Sequence, residues 1–466
     1  MSMFSSWWRH LTLRFSPRRV GPTTLAPPGP RWALPSDVAY ILDPAKTHGS
    51  GKEKFGDPFR LPSIAGPVVL TSEPGLMKQI FALRGDSFDL WARDVLGTLV
   101  GPRALNMVTG EDHARLKALV APVLGKEATR TLAAPMSRWL GAALNHLPLR
   151  TPRSLHEICQ HLSRGVIVRA LWGEDEGERV ERLESHIKRA VDHLSPALVF
   201  ITPLRVEGGG LLPWGRFKKM RQALDDEILA EIRRRRTRQE PGPGLLGRLM
   251  VTRDGEGRGL DDQEVLDQVL LLIFAGYQTT GAALSWALCH LATYPTLRQE
   301  LAHQLRGMDP EVDVEEVLEV PLLGAIVQET LRIHPMSPDI SPRILRCPLE
   351  LGGYTVPPGT AVGVSIGLTH NDPRRWPNPD QFLPERFLQG NPLPHSWIPF
   401  GGGVRGCIGA QFAIQQLKLA VATFVRRGGW QISGHLPARP ARHNLVMGVD
   451  SALTLTLHPR PVGSAP

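Results

Sequence analysis

From Gln268 to Cys289 the chain carries no formal charge, within DDQEVLDQVLLLIFAGYQTTGAALSWALCHLATYP at 261–295. So long an apolar run has two homes: a bilayer, or the middle of a core large enough to cover a helix on every side. Tyr277, Gln278, Thr279, Thr280 and Gly281 interrupt it at its centre, where polar groups without partners cost most. The segment therefore predicts one long helix crossing the core of a soluble protein. Asp261 with Glu264 reads as a capping box, and Pro295 as the stop.

The centre of that helix has two readings. Ala275 and Gly276 remove side-chain bulk, and the hydroxyls of Thr279 and Thr280 can bond back to their own helix, which is packing and no more. Alternatively the small residues make a groove for a flat cofactor and a small gas molecule, with hydroxyls to relay protons. Both stay open on this stretch alone.

A second stretch is PFGGGVRGCIG at 399–409, one cysteine among glycines. Glycine lets the main chain approach another object closely. Ala410, Ala413, Ile414, Leu417, Ala420, Val421 and Phe424 then recur at helical spacing. Cys407 is thus expected just before a helix N-terminus, where the dipole favours a thiolate, as nucleophile or metal ligand. In PLLGAIVQETLRIHP at 321–335, Glu329 and Arg332 share one helical face. Their apolar surroundings predict a buried pair needing further hydrogen bonds. Arg386 in NPDQFLPERF is expected as a third member, in a structural role that ties the helix to the loop before the cysteine.

The chain has 466 residues, 42% of them hydrophobic and 21% charged, which suits a large globular core. Length alone allows about three domains. Without repeats or low-complexity linkers, a basic, Pro-rich tail at 1–30 and a single domain at 31–466 are expected. Net charge is +9, which suits an acidic protein or an anionic membrane; no nucleic-acid motif is present and nucleic acid is not an expected partner. Cys159, Cys289, Cys347 and Cys407 show no CxxC pairing, so a disulfide framework and a four-cysteine zinc site are not expected. The opening MSMFSSWWRHLTLRFSPRR is too short and too charged to span a bilayer. It fits a mitochondrial transit peptide, a membrane-surface contact or a frayed basic tail.

Together these stretches resemble the cytochrome P450 family of thiolate-haem monooxygenases. The pattern F-x-x-G-x-R-x-C-x-G is met by Phe400, Gly403, Arg405, Cys407 and Gly409, E-x-x-R by Glu329 and Arg332, and PERF by 384–387. The long-helix signature A-G-x-acid-T appears as Ala275, Gly276, Tyr277, Gln278 and Thr279, an amide standing where the acid is usual. The resemblance implies a mainly α fold, a triangular helical prism with a small β-rich lobe near the N-terminus. Haem b would lie between the long helix and the cysteine loop, with the Cys407 thiolate as axial ligand and the glycines under the macrocycle. Arg405, Arg343 in SPRILRCPLELGGY, and His113 and Lys117 in GEDHARLKALV would contact its propionates; Ala275, Phe400 and Gly409 would also border it.

The implied reaction inserts one atom of O2 into a lipophilic small molecule such as a terpenoid, fatty acid or polyketide. Thr279 would deliver protons, assisted by Gln278 holding a water, since an amide cannot shuttle protons itself. Phe88, Trp91, Phe274, Met336, Ile340 and Met447 are the expected pocket lining. Electrons would come from a ferredoxin-like donor with its reductase, docking where Arg115, Lys418, Arg426 and Arg427 gather. A monomer in the cytoplasm, or alternatively a mitochondrial protein, without a transmembrane anchor, is expected. The alternatives are a haem-thiolate peroxygenase or isomerase, and a haem sensor or ligand carrier.

Overall fold

The computed structural model describes residues 26–459, apart from 92, 174–176, 196–197, 199–203 and 310. The expected tail thus lies mostly outside the described residues. Helices that position the site are α1 (Ala33–Leu42), α2 (Gly110–Val120), α3 (Leu155–Trp172), α4 (Asp262–Thr293), α5 (Pro321–Ile333) and α6 (Ala410–Arg427). Helix α4 is the expected long helix. Asp261 accepts from the Glu264 amide at 2.8 Å and Glu264 accepts from the Asp261 amide at 3.1 Å, completing the capping box. Although long and apolar enough to cross a membrane, α4 is mostly buried inside the protein. It packs along α3 and against α6. At Gly281 a Cβ would sit 3.0 Å from the Cys159 carbonyl oxygen of α3, so glycine permits the close crossing. The main apolar core draws on residues from Leu99 to Leu457.

A five-stranded sheet forms the β lobe. In spatial order it runs β1 (Phe59–Leu61), β2 (Val68–Thr71), β5 (Ala361–Ser365), β4 (Asp339–Leu345) and β3 (Phe88–Leu90). The lobe is therefore not purely N-terminal: β4 and β5 come from the region just after α5. β4 pairs with β3 so that Leu90 faces Arg343, and an irregularity between Ile340 and Arg343 interrupts its pairing with β5. A hairpin of β6 (Pro440–His443) and β7 (Val446–Val449) returns to the segment before β4, the Met447 amide donating to the Met336 carbonyl at 3.0 Å.

The expected ion pair is fully buried. Arg332 donates through Nε to Glu329 Oε2 at 2.7 Å and through Nη2 to Oε1 at 2.8 Å. Its remaining donors go to the carbonyls of His370 (2.8 Å), Pro379 (2.9 Å) and Gln381 (3.2 Å). Glu329 Oε1 also accepts from the Leu383 amide at 2.9 Å and from Arg386 Nε at 3.3 Å. Removing one partner would leave an uncompensated buried charge. Arg332→Ala is expected to cost about 3–5 kcal/mol, read as a lower urea midpoint; a midpoint equal to wild type would show that this network does not hold the fold.

Candidate functional site

The cysteine loop folds back on itself before α6. The Cys407 amide donates to the Phe400 carbonyl at 2.9 Å and the Gly406 amide to the Gly403 carbonyl at 3.1 Å. Gly403 has φ +66, and a Cβ there would lie 2.3 Å from the Phe81 carbonyl oxygen; one on Gly402 would lie 2.8 Å from the Phe81 ring. At least these two glycines are demanded by Phe81. The Cys407 side chain is exposed even though protein closes round it, and burial raises its thiol pKa, the Gly409 amide working the other way. Burial thus opposes the thiolate that a helix N-terminus favours. A bound cation would restore it, because a coordinating thiol loses its proton to the metal charge.

Beside this sulfur's loop lies a buried cationic cluster. Arg343, on β4, is 2% exposed and Arg405 is half-buried. Their guanidiniums lie 5.2 and 5.6 Å from the Phe88 ring centre. Arg343 donates to the Ile80 carbonyl; Arg405 donates to those of Val108 and, at 3.3 Å, Leu105. Yet Arg343 Nη2 and Arg405 Nε are buried with no partner, and among the described residues neither guanidinium pairs with a carboxylate. Burial pushes Arg343 down to about 10; burial and the neighbouring Arg343 charge do the same to Arg405. His113 is likewise pushed down to about 4 by burial, then by Arg405 and Lys117. Two buried cations with unused donors call for an anion, and carboxylates match the guanidinium fork best.

Helix α4 supplies the opposite component. Its centre is buried except on one side, where Ala275 is exposed and Gly276 and Thr279 are half-exposed. The Thr279 hydroxyl donates to the Ala275 carbonyl at 2.8 Å and that of Thr280 to Gly276 at 2.8 Å. Back-bonding leaves the Thr279 oxygen able to accept. An exposed thiol, a cluster seeking carboxylates and a bare patch of helix fit a flat, metal-bearing group with carboxylate arms.

Residues 42–451 match the cytochrome P450 family. The putative cytochrome P450 135A1 of Mycobacterium tuberculosis is 30% identical over 418 residues, 87% of this chain and 89% of that one. The putative cytochrome P450 137 of the same organism is 29% identical, covering 88% and 85%. This chain belongs to the cytochrome P450 family. Among solved structures, retinoic-acid-bound cyanobacterial CYP120A1 superposes with a TM-score of 0.80 at 24% identity, covering 93% of this chain and 99% of that one. The cytochrome P450DA heme domain gives 0.79 at 18%, covering 95% and 100%. The protein is accordingly a P450-type monooxygenase with the P450 fold, whose family chemistry uses haem with a cysteine thiolate ligand, O2 and a redox partner.

The other expected site residues take varied places in this P450. Gln278 is 7% exposed: its side-chain Nε2 lies 3.4 Å from the Tyr277 hydroxyl, and its main-chain carbonyl accepts from Gln160 Nε2 of α3 at 3.0 Å. Phe88 has no exposed surface, being the platform beneath the guanidiniums, and Trp91 packs beside the Phe59 cluster of the β lobe. Phe274 is almost buried. Met336 and Met447 do meet, and Ile340 lies against Gly401. Lys117 donates to the Val404 carbonyl at 2.8 Å, tying α2 to the cysteine loop. The four cations expected on a basic docking face each have a partner or are buried. Arg115 pairs with Glu264 at 2.8 Å and Asp254 at 3.5 Å, Lys418 donates to the Leu318 carbonyl at 2.6 Å, Arg426 to that of Leu305 at 3.3 Å, and Arg427 is buried. Of these four, Arg115 alone is shown in an ion pair among the described residues; the others donate to neutral carbonyls. Phe81 escaped notice in the sequence, its only signal being the triple glycine it packs on.

Arg405→Gln is expected to weaken cofactor retention by ~1.5–3 kcal/mol, the worth of a hydrogen bond to a charged group. Haem transfer to excess apomyoglobin measures this; a transfer rate equal to wild type would remove Arg405 from the site.

Proposed function

We propose that Cys407 is the thiolate ligand of haem b and that Arg343 and Arg405 hold its two propionates, with His113 and Lys117 bordering them. Phe400 and Gly409 would flank the sulfur and Ala275 the opposite face. What carries this reading is the pair of buried guanidiniums with unused donors beside the loop of an exposed cysteine. When bound, haem supplies the activation of O2 with two electrons and insertion of one oxygen atom into a substrate bond. The chain's part is positioning and protons. Thr279 accepts a proton on its hydroxyl oxygen and passes its own forward as the bond to the Ala275 carbonyl re-forms. The glycines and Phe81 fix the loop so that the Cys407 sulfur keeps one direction.

The substrate is a lipophilic small molecule of the terpenoid, fatty-acid or polyketide kind, enclosed by Phe274, Met336, Ile340 and Met447, because an apolar lining rewards apolar surface. Electrons come from a ferredoxin-like donor with its reductase, in the cytoplasm. Gln278 is assigned no proton-carrying role, since its buried side-chain amide is turned to the Tyr277 hydroxyl.

Cys407→Ser is expected to abolish the thiolate signature of the ferrous carbon-monoxide spectrum while haem is still taken up; the wild-type signature persisting in that variant would refute the assignment. Thr279→Ala is expected to lower product formed per O2 consumed far more than Gln278→Leu does. Equal losses in the two variants would place Gln278 in the proton path after all.

A further inference from the structure

A cavity of about 430 Å3 opens between the helix Ala133–Asn145 and α3, lined by Trp139, Ala143, His146, Leu147, Arg153 and His161. None of these residues belongs to the haem or substrate sites assigned above. Its aromatic wall is fixed from three sides. The Arg169 guanidinium of α3 covers one face of the Trp139 ring, 3.4 Å from its centre, and is itself paired with Glu184. Gly165 admits the ring edge, since a Cβ there would lie 2.2 Å from Trp139 Cζ2, and the indole N–H donates to the Leu162 carbonyl at 3.4 Å. His161 meets the same ring edge-on, the two centres 5.9 Å apart. A ring held in this way keeps one orientation whether or not a ligand lies beside it, so little order remains to be paid for on binding.

The charge of the lining has one sign. It includes an arginine and two histidines and no acid. Arg153 is exposed, and among the described residues its guanidinium makes no ion pair or hydrogen bond. His146 Nδ1 donates to the Ala142 carbonyl at 2.7 Å, which turns its Nε2 to other partners. Burial holds His161 below the ordinary histidine range, Glu184 pulling the other way and the Arg164 and Arg169 charges adding to the fall. The remaining surface is apolar, with Ala143 buried and Leu147 half-buried. A cation already stacked on one face of Trp139 makes the ring a poor seat for a second cation. Flat apolar surface with an anionic end meets every part of this lining, and a carboxylate matches the unpaired guanidinium fork. We propose that this cavity binds a small aromatic carboxylate, its ring beside Trp139 and its carboxylate on Arg153. Gln160, next to His161 on α3, donates to the Gln278 main-chain carbonyl of α4 at 3.0 Å, so the bound ring lies against the helix that packs along α4. This inference is independent of the haem assignment.

The test titrates 2-naphthoate into the full-length holoprotein by isothermal titration calorimetry, alone and with a saturating azole inhibitor in the substrate pocket. One site is expected, with the same affinity in both arms. The neutral 2-naphthamide is expected to bind at least about tenfold more weakly, having lost the charge-assisted bonds. Arg153→Gln, at an exposed position, should leave the melting curve unaltered and weaken 2-naphthoate to a similar degree. Ala143→Phe fills the cavity and should abolish binding; if that variant fails to fold, Arg153→Gln decides alone. Four outcomes would overturn the proposal. Wild type takes up no 2-naphthoate; the amide binds as well as the acid; Arg153→Gln binds as wild type does; or the azole displaces the acid, which moves it to the substrate pocket.

Discussion

The cysteine loop is held by a chain of contacts that begins far from it, at the Glu329–Arg332 pair. All the Arg332 donors are used, on Glu329 and on three carbonyls of the segment that wanders toward the cysteine. That full satisfaction is what makes a buried pair tolerable, since the desolvation of both charges is offset by many short bonds. His370 continues the chain: its Nδ1 donates to the Arg332 carbonyl at 3.0 Å, and its Nε2 accepts from the Ile398 amide at 2.8 Å. Those two partners require the neutral ring with its proton on Nδ1. Burial, pushing His370 down to about 3, keeps it neutral at physiological pH. Ile398 lies two residues before Phe400, whose carbonyl receives the Cys407 amide.

Set against that network, the Arg343 and Arg405 pair shows the opposite economy. There the fold buries like charges together with donors unused, and among the described residues no carboxylate pairs with either. Phe88 softens it, because the ring face attracts the cations. An anion would do far more, so carboxylate binding and folding are thermodynamically coupled at this cluster. The same logic would apply to Cys407, whose thiol is favoured by burial and would lose its proton to a bound metal. On the proposed reading, cofactor and fold would supply one another's missing charges, carboxylates for the cations and a metal for the thiol.

Patterns confined to a few neighbouring residues were legible in the sequence. The capping box, the uncharged run of α4, the i, i+3 spacing of Glu329 and Arg332 and the glycines round Cys407 each express a local requirement. Directions set by distant neighbours were not. Phe88 looks like pocket lining until β3 is paired with β4, which places it under two guanidiniums. Arg115 reads as surface charge until Glu264, already busy as a cap, is found to bind it. Gly402 and Gly403 suggest a flat ligand, and Phe81 is what they first make room for. Net charge, likewise, says nothing about which arginines are spoken for.

Helix α4 shows why an amide can replace the usual acid at position 278. The helix presents two polar sides. One, with Ala275, Gly276 and Thr279, is open; the other, with Tyr277 and Gln278, is pressed against α3. At this buried position a carboxylate would lie beside the Tyr277 hydroxyl and bear the cost of desolvation. Burial already pushes Tyr277 up to about 12, so a second ionisable group there would be held protonated or would disturb the packing. A neutral amide makes its hydrogen bond at no charge cost. Thr279 is then left as the polar group on the open side, and on the proposed reading proton movement would pass through that hydroxyl and the solvent or substrate it meets.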